Sequence, residues 1–174
     1  MTYRAAVLTI SDAGSRGERV DTAGPAAAEL LRGAGFEVAE TAMLPDEPEQ
    51  IAARLVEWAD AGEIALIVTA GGTGLSARDR TPEATLSVID RPVEGIAEAM
   101  RAAGLASTAM AMLSRGVAGV RGRTLIVNLP GSERGASENL RTVLPVLEHA
   151  CDQLRGEAAS SEATHEALRT GDEA

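Results

Sequence analysis

Three apolar runs in the chain each end abruptly in polar or glycine-rich residues. Ala5 to Ile10 (AAVLTI) stops at Ser11-Asp12. Ile64 to Val68 (IALIV) continues through Thr69-Ala70 into Gly71-Gly72-Thr73-Gly74, and Arg123 to Leu129 (RTLIVNL) stops at Pro130-Gly131-Ser132. Their length and lack of polar alternation predict strands buried on both faces. Phe36 to Leu44 predicts a further strand.

Between these runs the apolar spacing becomes helical. Ile51, Leu55, Trp58 and Ala59 share one face of a helix that starts around Pro45-Asp46-Glu47-Pro48-Glu49 and ends at Gly62. Gly24-Pro25 opens an earlier helix, which stops near Gly33 or Gly35 after a loop over residues 14–24. Arg78-Asp79-Arg80-Thr81-Pro82-Glu83 leads into a helix from about residue 82, and another covers Val93 to Ala103. Met110 to Val120 is compatible with short strands or loop. The last helix carries Leu140, Leu144, Leu147, Cys151 and Leu154 on one face, with Pro145 inside as a possible kink. These leucine stripes read as core.

Strand–helix alternation predicts an α/β fold: one three-layer domain, a mostly parallel sheet with helices on both faces. Ligands of such sheets bind beyond the carboxyl ends of the strands. The segments Ser11-Asp12, Gly71–Gly74 and Pro130–Ser132 therefore converge on one edge. The domain is read as residues 1–156. Residues 157–174 are rich in Ala, Ser, Thr and Glu with no apolar face, and read as a disordered acidic tail. Removing residues 157–174 is expected to leave the melting temperature nearly unchanged; a large drop on truncation would overturn that reading.

The missing residue types narrow the chemistry. The chain has no lysine, so Schiff-base and phosphate-loop lysines are excluded. His149, His165 and Cys151 are too few for a zinc site, and all three read as structural. Aromatic residues make up 2%, so base-stacking platforms are not available. The net charge is −10, and five acids against one arginine put −4 of it in the tail. The remaining −6 argues against nucleic-acid binding through phosphates. No apolar run approaches the ~20 residues of a membrane span, and no signal-peptide pattern opens the chain, so the cytoplasm is the expected location. Chemistry must come from carboxylates, hydroxyls, arginines and backbone amides, with or without a hard metal ion.

Gly71–Gly74 can present several backbone N–H groups to one anion, with the Thr73 hydroxyl beside them, or it can be an ordinary tight turn. It is not a dinucleotide fingerprint, because Ala77 stands where the third glycine belongs. Asp79, between Arg78 and Arg80, reads as a local ion pair ahead of a helix capped by Thr81. Its alternative is a ligand for Mg²⁺ beside bound phosphate. Asp46 reads as a helix cap, with Glu49 completing a capping box, or as a catalytic group. Ser132 can cap the last helix, or that helix N-terminus can hold an anion. Arg78, Arg80 and Arg115 could clamp phosphate.

The segment LIVTAGGTGLSARD (66–79), continued by RTPEAT, resembles the first signature of the MogA/MoaB family, the molybdopterin adenylyltransferases of molybdenum cofactor synthesis. LTISD (8–12) with Asp21 and Gly24-Pro25, LPDE (44–47), LSRGVAG (113–119) and TLIVNLPGS (124–132) with Glu138 fit the same pattern, so the resemblance spans residues 4–156. It implies that ATP and Mg²⁺ are used to adenylylate molybdopterin with release of pyrophosphate. It also implies a homotrimer and a partner enzyme that inserts molybdate. The family's two required aspartates fall on Asp46 and Asp79, which would also hold Mg²⁺. Ser11, Asp12, Gly71, Gly72, Thr73, Gly74, Ser114, Asn128, Pro130, Gly131 and Ser132 would bind substrate. Two positions depart from the pattern: Ala70 where Ser or Thr is common, and Glu133 where Pro is common. The alternative function is a non-catalytic molybdopterin-binding or scaffold protein of the same fold.

Overall fold

The computed structural model describes residues 2–156. The tail assignment for 157–174 lies outside them. The elements run β1 (Arg4–Ile10), α1 (Asp12–Ser15), α2 (Ala23–Gly33), β2 (Glu37–Leu44), α3 (Pro48–Asp60), β3 (Ile64–Ala70), α4 (Thr81–Leu86), β4 (Arg91–Pro92), α5 (Glu94–Ser107), a 3₁₀ turn (Ala109–Leu113), β5 (Ala118–Arg121), β6 (Thr124–Leu129) and α6 (Glu133–Arg155). The loop expected over 14–24 shrinks, because Ser11 caps α1 and α2 begins at Ala23.

The sheet order is β2-β1-β3-β6-β5-β4. β1, β2, β3 and β6 are parallel, while β5 and β4 add an antiparallel edge. The ambiguous stretch before β6 thus resolves into a 3₁₀ turn followed by a hairpin partner for β6.

Period-two alternation divides the core between the two faces. Leu66, Val68, Leu125 and Val127 pack with Leu31, Leu140 and Leu147 of α2 and α6. The residues between them in sequence, Ile67 and Ile126, join Leu8 in packing with Ile51, Leu55 and Trp58 of α3 on the other face. Each such side chain contributes roughly 1.5–3 kcal/mol on burial. α6 runs through Pro145 as one 23-residue helix. Pro145 is exposed there, so its ring meets solvent rather than the core.

β1 feeds β2 on one side and β3 follows on the other, so the chain reverses direction across the sheet between β1 and β3. Such switch points form crevices at the carboxyl edge. Four parallel strands deliver their ends there.

Candidate active site

The strand ends are tied together before any ligand arrives. Ser11 N donates to Leu44 O (2.9 Å), and Gly71 N to Leu129 O (3.1 Å). Asp12 and Asp46 exchange bonds: Asp12 N donates to Asp46 Oδ2 and Asp46 N to Asp12 Oδ1, both at 3.0 Å. Arg78 reaches over from the loop after β3. It grips Asp12 through Nε (3.0 Å) and a terminal nitrogen (2.9 Å), and that nitrogen also donates to Glu47 (2.8 Å).

The glycine loop turns where only glycine is comfortable. Gly71 has φ +113° and Gly72 φ +64°, values that a Cβ opposes. Arg115 braces the turn from inside. It donates to the carbonyls of Gly74 (2.7 Å) and Asp79 (2.6 Å) and pairs with Glu83. Asp79 Oδ2 accepts from Ser76 N at 2.9 Å.

Two cavities flank this loop. The polar one, about 340 Å³, is lined by Ser11, Asp21, Thr22, Asp46, Gly71, Gly72, Asp79, Gly131 and Ser132, among others. The second, about 480 Å³, has Leu75, Met100, Met110 and Leu113 in its walls, with Thr73, Gly74, Ser114, Pro130 and Asn139. They share Gly72, Asp79, Gly131 and Ser132. The result is a two-lobed site with Asp79 and the start of α6 at its waist. A larger cleft, about 640 Å³, lies between α2 and β2, but it includes neither Asp46 nor Asp79.

The two neighbouring aspartates are pushed in opposite directions. Arg78 and the Asp46 amide hold Asp12 below the usual carboxylate value. Burial raises Asp46, and the charges of Asp12 and Asp79 add to that. Folded Asp46 therefore keeps its proton to higher pH than in the unfolded chain. Its contribution to stability falls as pH rises above the ordinary value of 3.8 through the raised one. The charge of Asp46 is thus a cost to folding at neutral pH. Asp46→Asn is expected to melt at or above the wild-type temperature at pH 7 in EDTA, with the difference closing near pH 3. A clear loss of stability at pH 7, read by thermal denaturation, would contradict this.

Several expectations are corrected. Asp46 does not cap α3: Glu47 is the N-cap position, with no side-chain cap bond, and the Asp46 carboxylate is spent on Asp12 N. Thr81 does not cap α4 but is its first residue, fully buried behind an Arg80 cap position. Asp79 makes no ion pair among the described residues: Arg78 takes Asp12 and Glu47, and Arg80 lies 3.8 Å from Glu83. Arg78 and Arg115 are braces already committed to protein acceptors rather than phosphate clamps. Ser132 does cap α6, its Oγ accepting from Gly135 N at 3.1 Å.

Eleven of the thirteen residues assigned to the site from sequence line one or both lobes. Asp12 and Asn128 do not. Asp12 is held by Arg78, while Asn128 is 1% exposed and donates to the hydroxyls of Thr69 (3.0 Å) and Thr85 (2.9 Å). A polar side chain at the end of an apolar strand looks like a ligand contact in sequence; here it joins β6 to β3 and α4. Asp21, to which the sequence gives no site role, belongs to the site as well. It accepts from Thr9 Oγ1 (2.6 Å) and Gly24 N (3.0 Å) in the wall of the polar lobe. Its place three residues before Gly24 was the available signal, an aspartate bonding to the backbone of a helix's first turn.

Among the described residues no group of three or more His, Cys, Asp or Glu could hold a metal alone. Asp46 and Asp79 line the same lobe, and each spends one oxygen on a backbone amide. Two hard oxygen donors suit Mg²⁺, which commonly completes its shell with water and phosphate oxygens.

The family model described as "Probable molybdopterin binding domain" matches residues 6–149. The chain belongs to this MogA/MoaB family. A solved structure of the molybdopterin biosynthesis enzyme MoaB from Thermus thermophilus is 57% identical, with a TM-score of 0.85, covering 89% of this chain and 98% of that one. The molybdopterin adenylyltransferase of Escherichia coli is 41% identical over 145 residues, 82% of this chain and 74% of that protein. The Drosophila melanogaster molybdenum cofactor synthesis protein cinnamon is 36% identical over 163 residues. The chain spans only 27% of cinnamon, 23% of Dictyostelium discoideum gephyrin and 49% of a bifunctional Chlorobaculum tepidum protein. It therefore corresponds to one part of those longer relatives.

Proposed function

We propose that the chain is a molybdopterin adenylyltransferase: the phosphate of molybdopterin attacks the α-phosphorus of ATP, giving adenylyl-molybdopterin and pyrophosphate. The observation that carries this reading is the two-lobed site. One substrate in each lobe would bring both phosphates to the waist, where Gly72, Asp79, Gly131 and Ser132 belong to both walls. The names of relatives that this chain matches over most of their length support it.

A phosphate nucleophile is anionic at pH 7, so the absence of a histidine or lysine base is no obstacle. The work left is positioning and charge neutralisation at phosphorus. Ser132 caps Gly135 N, but the amides of Glu133 and Arg134 at the start of α6 lack acceptors within the helix, and such a helix start beside the waist favours an anion. The glycine turn adds amides without side chains in the way. Arg115 and Arg78 keep loop and strand ends rigid, so little reorganisation accompanies the reaction. Asp46 and Asp79 would hold Mg²⁺, which would supply charge neutralisation for the phosphates. The same reading includes a homotrimer that hands its product to a molybdate-inserting enzyme, and sedimentation of the purified chain tests the assembly.

The deciding experiment combines purified protein, molybdopterin, ATP and Mg²⁺, and follows pyrophosphate and adenylylated product together. Equal, metal-dependent release of both is expected. Tight molybdopterin binding without product would replace this reading with a binder or scaffold.

A further inference from the structure

Behind the glycine turn lies a polar group with no role in the reading above. Thr81 is fully buried at the start of α4. Its amide donates to Gly72 O at 3.1 Å, which fastens the helix to the turn. Its hydroxyl, however, has no hydrogen-bond partner among the described residues. An unsatisfied buried hydroxyl costs on the order of 1–3 kcal/mol, and valine has the same shape without that cost. A threonine here needs a reason beyond packing.

Gly72 supplies the direction. A Cβ built on it would stand 2.3 Å from Thr81 Oγ1 and 3.0 Å from Asp46 Oδ1. The two oxygens therefore flank one point, separated by no more than the sum of those distances, and the missing side chain of Gly72 leaves the space between them clear. Asp46 Oδ2 is already taken by Asp12 N, whereas Oδ1 is the carboxylate oxygen that lies beside the Cβ position of Gly72. The hydroxyl is a donor without an acceptor, and Oδ1 is an acceptor within reach through a small carboxylate rotation or one water.

We propose that Thr81 is a positioning residue for Asp46: its hydroxyl donates to Asp46 Oδ1, directly or through one bridging water, and sets the carboxylate's orientation in the polar lobe. Asp46 is then held at both oxygens, by Asp12 N on one side and Thr81 on the other. Gly72 is required between them as an opening as well as for its positive φ. The kinetic consequence rests on the adenylyltransferase reading; the contact itself does not.

The test compares wild type, Thr81→Val and Thr81→Ser. Loss of the hydroxyl is expected to lower kcat for adenylyl transfer about tenfold, with KM for ATP and molybdopterin within about twofold of wild type. Thr81→Ser keeps the donor and is expected to restore most of the rate. Thr81→Val keeps the shape of the side chain and should stay folded, with a modest fall in melting temperature from the lost hydrogen bond to Asp46. High-resolution crystal structures of the three proteins give a readout independent of turnover. Wild type and Thr81→Ser should show one Asp46 conformer linked to the hydroxyl by contacts within about 3.2 Å. Thr81→Val should show a rotated or divided carboxylate. Unchanged kcat in Thr81→Val, or Thr81→Ser as slow as Thr81→Val, would overturn the proposal, the latter because it would assign the effect to the methyl group. If wild type makes no product, the adenylyltransferase reading fails, and the Asp46 conformers alone decide for or against Thr81.

Discussion

Asp79→Asn is expected to fold normally and to lose adenylyl transfer by on the order of 10³-fold in kcat. The side chain stands at the waist between the two lobes. Its side-chain hydrogen bond from Ser76 N to Oδ2 needs only an acceptor oxygen, which asparagine also offers. No ion pair among the described residues uses its charge. Folding should therefore be indifferent to the change, while the proposed Mg²⁺ would lose one of its two carboxylate ligands. Melting curves and product formation measured on the same preparation check this. A folded variant with normal turnover would remove Asp79 from the mechanism.

Gly71→Ala is expected to destabilise the chain by about 3 kcal/mol or more, from backbone strain together with overpacking. At φ +113° an L residue is strained whatever the space around it. Here there is no space: the added Cβ would lie 2.2 Å from the carbonyl oxygen of Ile10, at the end of the neighbouring strand. Gly131 closes the other side, its own Cβ position only 3.1 Å from the Cα of Gly71. The ends of β1, β3 and β6 are pressed together at this glycine, so relief requires the sheet edge to move. For a chain of this size the loss corresponds to a fall in melting temperature of roughly 10 °C. Gly62→Ala is the control. Its φ is +79°, but nothing among the described residues lies within 4 Å of the added carbon, so only the conformational cost of about 1 kcal/mol remains. Equal melting temperatures for the two variants would refute the packing argument.

The stability cost predicted for Asp46 and the silence predicted for Asp79→Asn belong together. Both carboxylates are placed where folding gains nothing from their charge, as groups retained for binding or catalysis often are. Asp12 is the contrast: chemically the same, two residues beyond β1, and held by Arg78 and the Asp46 amide.

Apolar runs and helical stripes were enough to predict the three layers, the four parallel strands and the edge at which their ends meet. Burial on both faces forces a continuous apolar strand, and one-sided packing forces a stripe, so these patterns are local consequences of the final fold. The glycine turn and the cap of α6 were legible for the same reason, since each depends on residues within a few positions of one another. β4 was not, because two residues, Arg91 and Pro92, carry no periodicity and become a strand only by lying against Val120 and Gly119. Nor could sequence tell Asp12 from Asp46, or show that Asn128 faces inward to Thr69 and Thr85 while Ser132 remains at the rim. Each of those distinctions depends on a partner between 34 and 66 positions away. Side-chain type and local spacing determine which element a residue joins and what chemistry it can offer. Whether a carboxylate becomes a brace or a ligand depends on which distant cation or amide the packed sheet brings to it, and that was decided only in three dimensions.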